Sequence, residues 1–408
     1  MSWLARIDQA RLALAADIAA VLVAISLPWS TSATGILLVV WLVLLLPTLD
    51  TVSARDMLRQ PAAVLPVLLW ALAVLALLWG DVSWKERIAG LGGYNKLLVI
   101  PLLLLQFQRS TRGHWVLIGF TASATVLIAV SWLFVTFPTL QRPGKDLGIP
   151  VKDYISQSAI CTIAAFGLLA CALEAWRRER RALAAGLVLL AAGFVGNIIY
   201  VVTGRTALVV LPILGIMLAS RAFGWKGLVG ALVLGSVLAG LAWTTSPYLR
   251  ARVLTGITEV QSYQREGAFT SAGLRLEYWK KSVGFIAEAP VIGHGTGTMP
   301  DRFRRVATSG TGASSDPTVN PHNQYLAVWI ELGTLGLLVL AGMWIAHLML
   351  FRGGTMAAWV GLIVVTQNII SSAFNSHLFD FTHGWLYVVG VGVAGGMVLR
   401  QPSKPPVA

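Results

Sequence analysis

LAAGLVLLAAGFVGNIIYVVTGRTALVVLPILGIMLAS, residues 183–220, holds thirty-eight residues and a single charge, Arg205. A helix needs about 20 mainly apolar residues to cross the hydrocarbon layer of a bilayer. The stretch therefore reads as two crossings, 183–202 and 206–222, that meet at one arginine. Almost no loop holds that guanidinium in water, and a charge at such depth is costly unless it pairs or faces a wet cavity. Snorkelling to the interface would also accommodate it. The adjoining Gly204 and Thr206 favour the other reading, close backbone approach by something bound.

The pattern continues outward in both directions. Apolar runs near 12–29, 33–49, 61–80, 91–107, 114–137, 156–175, 183–202, 206–222, 226–244, 322–349, 356–374 and 383–399 give twelve expected spans. The fourth differs, because its upstream part from Asp81 to Lys96 carries charges and two adjacent glycines. That part is expected to lie along the interface before the helix turns inward. The chain is 56% apolar and 12% charged, with a mean hydropathy of +0.73. Soluble domains carry about 25% charged residues, so lipid must solvate most of this surface. The 16 tryptophans suit interfacial anchoring. The expected class is all-α: a polytopic membrane protein of about 12 transmembrane helices with one large loop.

A net charge of +13 would suit a nucleic-acid binder, but the basic residues sit in short clusters between apolar runs. With the N-terminus inside, the expected cytoplasmic segments hold 15 Lys and Arg, from Arg6 and Arg11 through Arg177, Arg178, Arg180 and Arg181 to Arg400 and Lys404. The short outer segments hold 7: Lys85, Arg87, Lys96, Arg142, Lys145, Lys152 and Arg205. This asymmetry orients the chain and places both termini in the cytoplasm. Residues 1–244 are then the first nine spans, 245–321 an outer loop, and 322–408 the last three spans. Arg6 and Arg11 before an apolar run resemble a signal peptide, yet a retained first helix is the expected outcome. Cys161 and Cys171 lie on one apolar run, about 15 Å apart if helical, too far for a disulfide.

The outer loop carries nine basic and six acidic residues. Long loops are exempt from the positive-inside rule, so the excess calls for another cause, and an anion at the membrane surface supplies one. Helical periodicity spans 274–289, LRLEYWKKSVGFIAEA, and places Arg275 at its start. PVIGHGTGTMP follows, a turn that could cradle phosphate or simply connect; His294 shares that ambiguity. In TVNPHNQYLAVWIELGTLG, Asn320 is the expected N-cap and Pro321 a first-turn residue. His322 is then expected in the first turn, where the helix dipole keeps imidazole neutral and fit to act as a base. Lys85, Arg87, Arg265, His294 and Asn323 complete the set of expected substrate-binding residues.

Taken together, TGR at 203–205, R-L-x-x-W from Arg275 to Trp279, P-x-x-G-x-G-x-G from Pro290 to Gly297, and H-N-x-x-L-x-x-x-x-E-x-G from His322 to Gly333 resemble the O-antigen ligase and polymerase superfamily. His294 departs from the small or apolar residue that many members carry there. The resemblance implies a GT-C-like membrane glycosyltransferase at the periplasmic face of the bacterial inner membrane, in lipopolysaccharide biosynthesis. Its donor would be undecaprenyl-diphosphate-linked O-antigen and its acceptor a lipid A-core sugar. It implies His322 as base and Arg205 and Arg275 as the groups that stabilise charge on the leaving diphosphate, through bidentate guanidinium contacts. The loop lacks a closely spaced acidic pair, so a metal-independent reaction is expected, with no cofactor, and direct displacement would invert the anomeric centre. Ligase is preferred to polymerase because only one outer loop is large; a protein O-oligosaccharyltransferase is a further alternative. An organic-anion transporter would instead show repeated halves and broken helices at mid-membrane. Membrane lipids are expected partners and nucleic acid is not.

Overall fold

The computed structural model describes residues 8–202, 204–310 and 312–400. Arg6, Lys404 and the motif residue Thr203 lie outside them. The chain begins with α1 (Gln9–Ser26), α2 (Thr31–Leu45), α3 (Thr51–Met57), α4 (Pro61–Leu75), α5 (Trp84–Asn95), α6 (Val99–Arg109) and α7 (Gly113–Thr136). Next come α8 (Tyr154–Arg177), α9 (Arg181–Tyr200) and α10 (Arg205–Thr245), then the non-spanning α11 (Pro247–Glu266), α12 (Ser271–Glu288) and α13 (Met299–Arg305). The chain returns through α14 (Gln324–Leu350), α15 (Met356–Ser371) and α16 (Phe381–Leu399). No strand occurs among the described residues, and the molecule is an all-α polytopic membrane protein.

Among the described residues, ten segments are long and apolar enough to cross a membrane, with α5 and α6 forming one and α15 falling just short in length. The 41 residues of α10 count once, yet Gly224 breaks them at φ 62° and ψ −144°. A Cβ on Gly227 would lie 2.0 Å from the carbonyl oxygen of Ala219. In a straight helix those residues sit about 12 Å apart. The chain therefore doubles back at Gly224, and the expected pair of spans 206–222 and 226–244 is a helical hairpin.

Between α5 and α6 the helix breaks at Lys96–Leu98. Lys96 is buried there, and its ammonium donates to the carbonyls of Phe379 at 3.0 Å and Asp380 at 2.8 Å. The innermost helices are α8 and α16, each with 72% of its apolar window buried against 17% for α10. Small residues on α8 (Ala159, Ala164, Ala165) let α9, α10, α15 and α16 approach closely.

The glycine-rich turn after α12 is a structural plug. Gly333 interrupts α14 at φ 66°, which leaves carbonyls of the preceding turn without helical donors. The turn supplies them: His294 N donates to Ile330 O at 2.8 Å and Gly295 N to Glu331 O at 2.9 Å. Gly297 N donates to the Glu331 carboxylate at 3.0 Å, which also accepts from Tyr94 Oη. A Cβ on Gly333 would come within 2.2 Å of Val291 O, so the position demands glycine for both its φ and its space. Broken helices survive at membrane depth only when protein re-satisfies the backbone in this way. The amides a phosphate cradle would need are already engaged, so the turn is a tight connection.

Candidate anion and base site

Arg205 opens α10, and its fork is occupied. Nη1 and Nη2 each donate at 2.8 Å to the two carboxylate oxygens of Glu259 on α11. Glu259 also accepts the amide of Ala272 at 3.0 Å, which anchors the first turn of α12. The Arg205 pair, this amide and the charges of Arg205 and Arg252 hold the Glu259 carboxyl below its usual range. One carboxylate thus ties a membrane helix to α11 and α12.

Arg275, one turn into α12, lies among Arg205, Arg252, Glu259 and Tyr154. Burial, together with the neighbouring Arg205 and Arg252, presses its guanidinium below the usual arginine range. Arg252 stacks over the Tyr154 ring at 5.2 Å. Arg205 thus grips the Glu259 carboxylate, and the charges of Arg252 and Arg275 act close by. Among the described residues, the Nε groups of Arg205 and Arg252 are buried with no partner. A buried N–H left unmatched costs about 1–3 kcal/mol, which an incoming acceptor would recover.

His322 does not sit in the first turn of α14. Asn323 is the N-cap, accepting from the amides of Tyr325 at 3.0 Å and Leu326 at 3.2 Å. Asn320 instead accepts from His322 N at 2.8 Å, and this local turn carries His322 to a left-handed φ of 50°. The imidazole stacks on Tyr278 with centroids 6.0 Å apart. Its pKa falls below the usual value, through burial first and then the charge of Arg275, against an opposing hydrogen bond to Asn375. The neutral form is favoured as expected, with burial as the leading cause in place of a first-turn position.

The tautomer follows from the next contacts. Asn375 Oδ1 accepts from Ser376 N at 3.0 Å, and Asn375 Nδ2 donates to Asp380 Oδ2 at 3.2 Å, which fixes the amide orientation. His322 Nδ1 lies 2.8 Å from Asn375 Oδ1 and must be the donor. Nε2 then keeps its lone pair. Burial raises the Asp380 carboxyl to about 6.

No described contact joins the other expected residues to the arginine cluster. His294 is buried, its Nε2 2.7 Å from Phe285 O. Arg87 caps the end of the α4 segment through Leu77 O at 2.8 Å and Val82 O at 2.9 Å. Lys85 is exposed on α5, Arg265 is exposed at the end of α11, and Asn323 is spent as a cap. Conversely, the sequence reading passed over Tyr154, Arg252, Glu259, Asn375, His377, Asp380 and His383. A signal existed for the last group, since two of the six histidines fall within SSAFNSHLFDFTH, between the final two expected spans.

His377, Asp380 and His383 bring possible metal-ligand atoms within 4.8 Å of one another. Their imidazoles stack nearly parallel, 3.8 Å apart at 2°. Imidazole lone pairs lie in the ring plane, so one ion about 2.0–2.1 Å from both nitrogens would need the rings to open. A small cavity of mixed lining, with Ile155, Ala159 and Val210 beside Ser158, Thr162 and Gln367, adjoins the two histidines.

Residues 194–341, which carry every member of the arginine cluster and His322, match the model of a family described as O-antigen ligase. An uncharacterized protein of Haemophilus influenzae (strain ATCC 51907 / DSM 11121 / KW20 / Rd) is 26% identical over 256 residues, 60% of this chain. The matched region spans 61% of that protein's length.

Proposed function

The chain belongs to the O-antigen ligase/polymerase superfamily, and from that premise we propose that it transfers a glycan from a polyprenyl-diphosphate carrier to a lipid A-core sugar at the periplasmic face of the inner membrane. The carrying observation is the cluster of Arg205, Arg252 and Arg275 beside the neutral His322. In the reaction, an acceptor hydroxyl attacks the anomeric carbon of the donor sugar and His322 Nε2 takes its proton. The carbon–oxygen bond to the diphosphate breaks, and the electron pair stays on the phosphate oxygen. Fixed guanidiniums favour that developing charge. Three cations against Glu259 leave a surplus matched to a diphosphate. Direct attack implies inversion, and every step is assigned to a protein group without a metal.

Purified protein, a polyprenyl-diphosphate glycan and lipid A core test the reading in the presence of chelator. Glycosylated core is the expected product. Longer carrier-linked chains in its place would identify a polymerase, and retained anomeric configuration by NMR would end the direct-displacement scheme. The one large non-spanning segment, 246–323, supports ligase over polymerase.

Two substitutions probe the supporting contacts. Arg205→Lys removes the two-pronged hold on Glu259, and one ammonium cannot replace it. Transfer is expected to fall by about tenfold to a hundredfold, by analogy with misplacement of catalytic groups; normal rates in the lysine variant would reduce Arg205 to a point charge. Asn375→Ala frees the His322 tautomer and removes a contact that raises its pKa. The rate should drop, and the acid limb of the pH–rate profile should move to lower pH. A slower enzyme with an unmoved limb would make Asn375 merely structural.

A further inference from the structure

At the opposite end of α8 from Tyr154, about 34 Å away at 1.5 Å per residue, lies a cavity of about 290 Å³. Its walls are of two kinds. Leu173, Met356 and Trp359 are apolar, while Arg177 and Arg178 are cationic. Glu174, the carboxylate in the lining, is engaged by Arg178 at 2.7 Å. Among the described contacts Arg177 makes one long bond, 3.4 Å to Ala222 O. Arg221 closes the rim: its guanidinium lies 4.4 Å over the Trp359 ring and donates to the carbonyls of Phe351 and Gly353. The cavity and its rim thus gather three arginines and one carboxylate where the apolar run of α8 ends.

We propose that this cavity binds the headgroup of an anionic phospholipid, with the phosphodiester on Arg177 and Arg178 and the glycerol end against Leu173, Met356 and Trp359. A cavity at the end of a membrane helix, apolar on one side and cationic on the other, matches a lipid better than a free ion. A zwitterionic headgroup would bring its own ammonium towards three guanidiniums and is disfavoured. The site is independent of the proposed transfer reaction and lies at the other end of the bundle.

Native mass spectrometry of purified protein, offered phosphatidylglycerol and phosphatidylethanolamine in competition, reads the preference directly. Wild-type protein should retain phosphatidylglycerol. The double variant Arg177→Gln, Arg178→Gln should lose relative affinity about thirtyfold, the scale of two arginines at an anionic surface. The double lysine variant should keep most of it, which separates lost charge from failed insertion. Arg352→Gln serves as control, because Arg352 is exposed on the adjacent turn and does not line the cavity. Equal retention of both lipids, or an equal loss in Arg352→Gln, would overturn the proposal in favour of a diffuse basic surface. Displacement of bound lipid by inorganic phosphate alone would overturn it in favour of a free-anion site.

Discussion

Alanine at His322 is expected to lower glycan transfer by two to four orders of magnitude, the usual contribution of a positioned general base. The protein should still insert and fold, because the α14 N-terminus is capped by Asn323 and the backbone there does not depend on the imidazole. His322 Nδ1 is committed to Asn375, which leaves Nε2 as the basic atom. Burial and Arg275 place the imidazole pKa below its ordinary value. A base works when unprotonated, so activity should persist below the usual histidine range and fall only as pH drops through the lowered value. Donor retention by the alanine variant should be unchanged while turnover collapses. Near-normal turnover would remove His322 from the mechanism.

The second large effect is expected at Arg275. Glutamine there keeps much of the side-chain volume and deletes the charge. Removing one preorganised group that stabilises transition-state charge costs about 10²–10³ in rate. Arg275 lies at the centre of the site, felt electrostatically by Arg205, His322 and His377 alike. Its loss should therefore also raise the His322 pKa, since a like charge has gone. The acid limb of the rate profile should move up as the plateau falls. A fall in rate with no movement of the limb would place Arg275 away from His322.

The spans were legible in the sequence because apolar length is a local property. Even the Gly224 hairpin emerged, through Arg221 and Lys226 at its tip. The start of α14 did not. Asn320 and Pro321 carry the marks of a helix start, but the carboxamide of Asn323 reaches the free amides and Asn320 turns back on His322 instead. Two residues of capping chemistry decide whether His322 lies inside the helix or ahead of it.

The partners were less legible than the principals. Arg205 stood out by its depth in an apolar run, but its fork binds Glu259, 54 residues away. His322 depends on Asn375 across 53 residues. Such pairs arise from packing of α11 and the α15–α16 connection, and no local pattern announces them. The glycine turn failed in the other direction. Its composition suggested phosphate, whereas its amides serve the break at Gly333.

The account turns on where the diphosphate sits, so the most direct measurement is a structure with a polyprenyl diphosphate bound. Phosphate oxygens within hydrogen-bond reach of Arg275 and of the unmatched Nε groups of Arg205 and Arg252, with His322 Nε2 facing the anomeric carbon, are the predicted result. A diphosphate held by Lys85 and Arg87, or seated by Arg177 and Arg178 at the other end of the bundle, would contradict it.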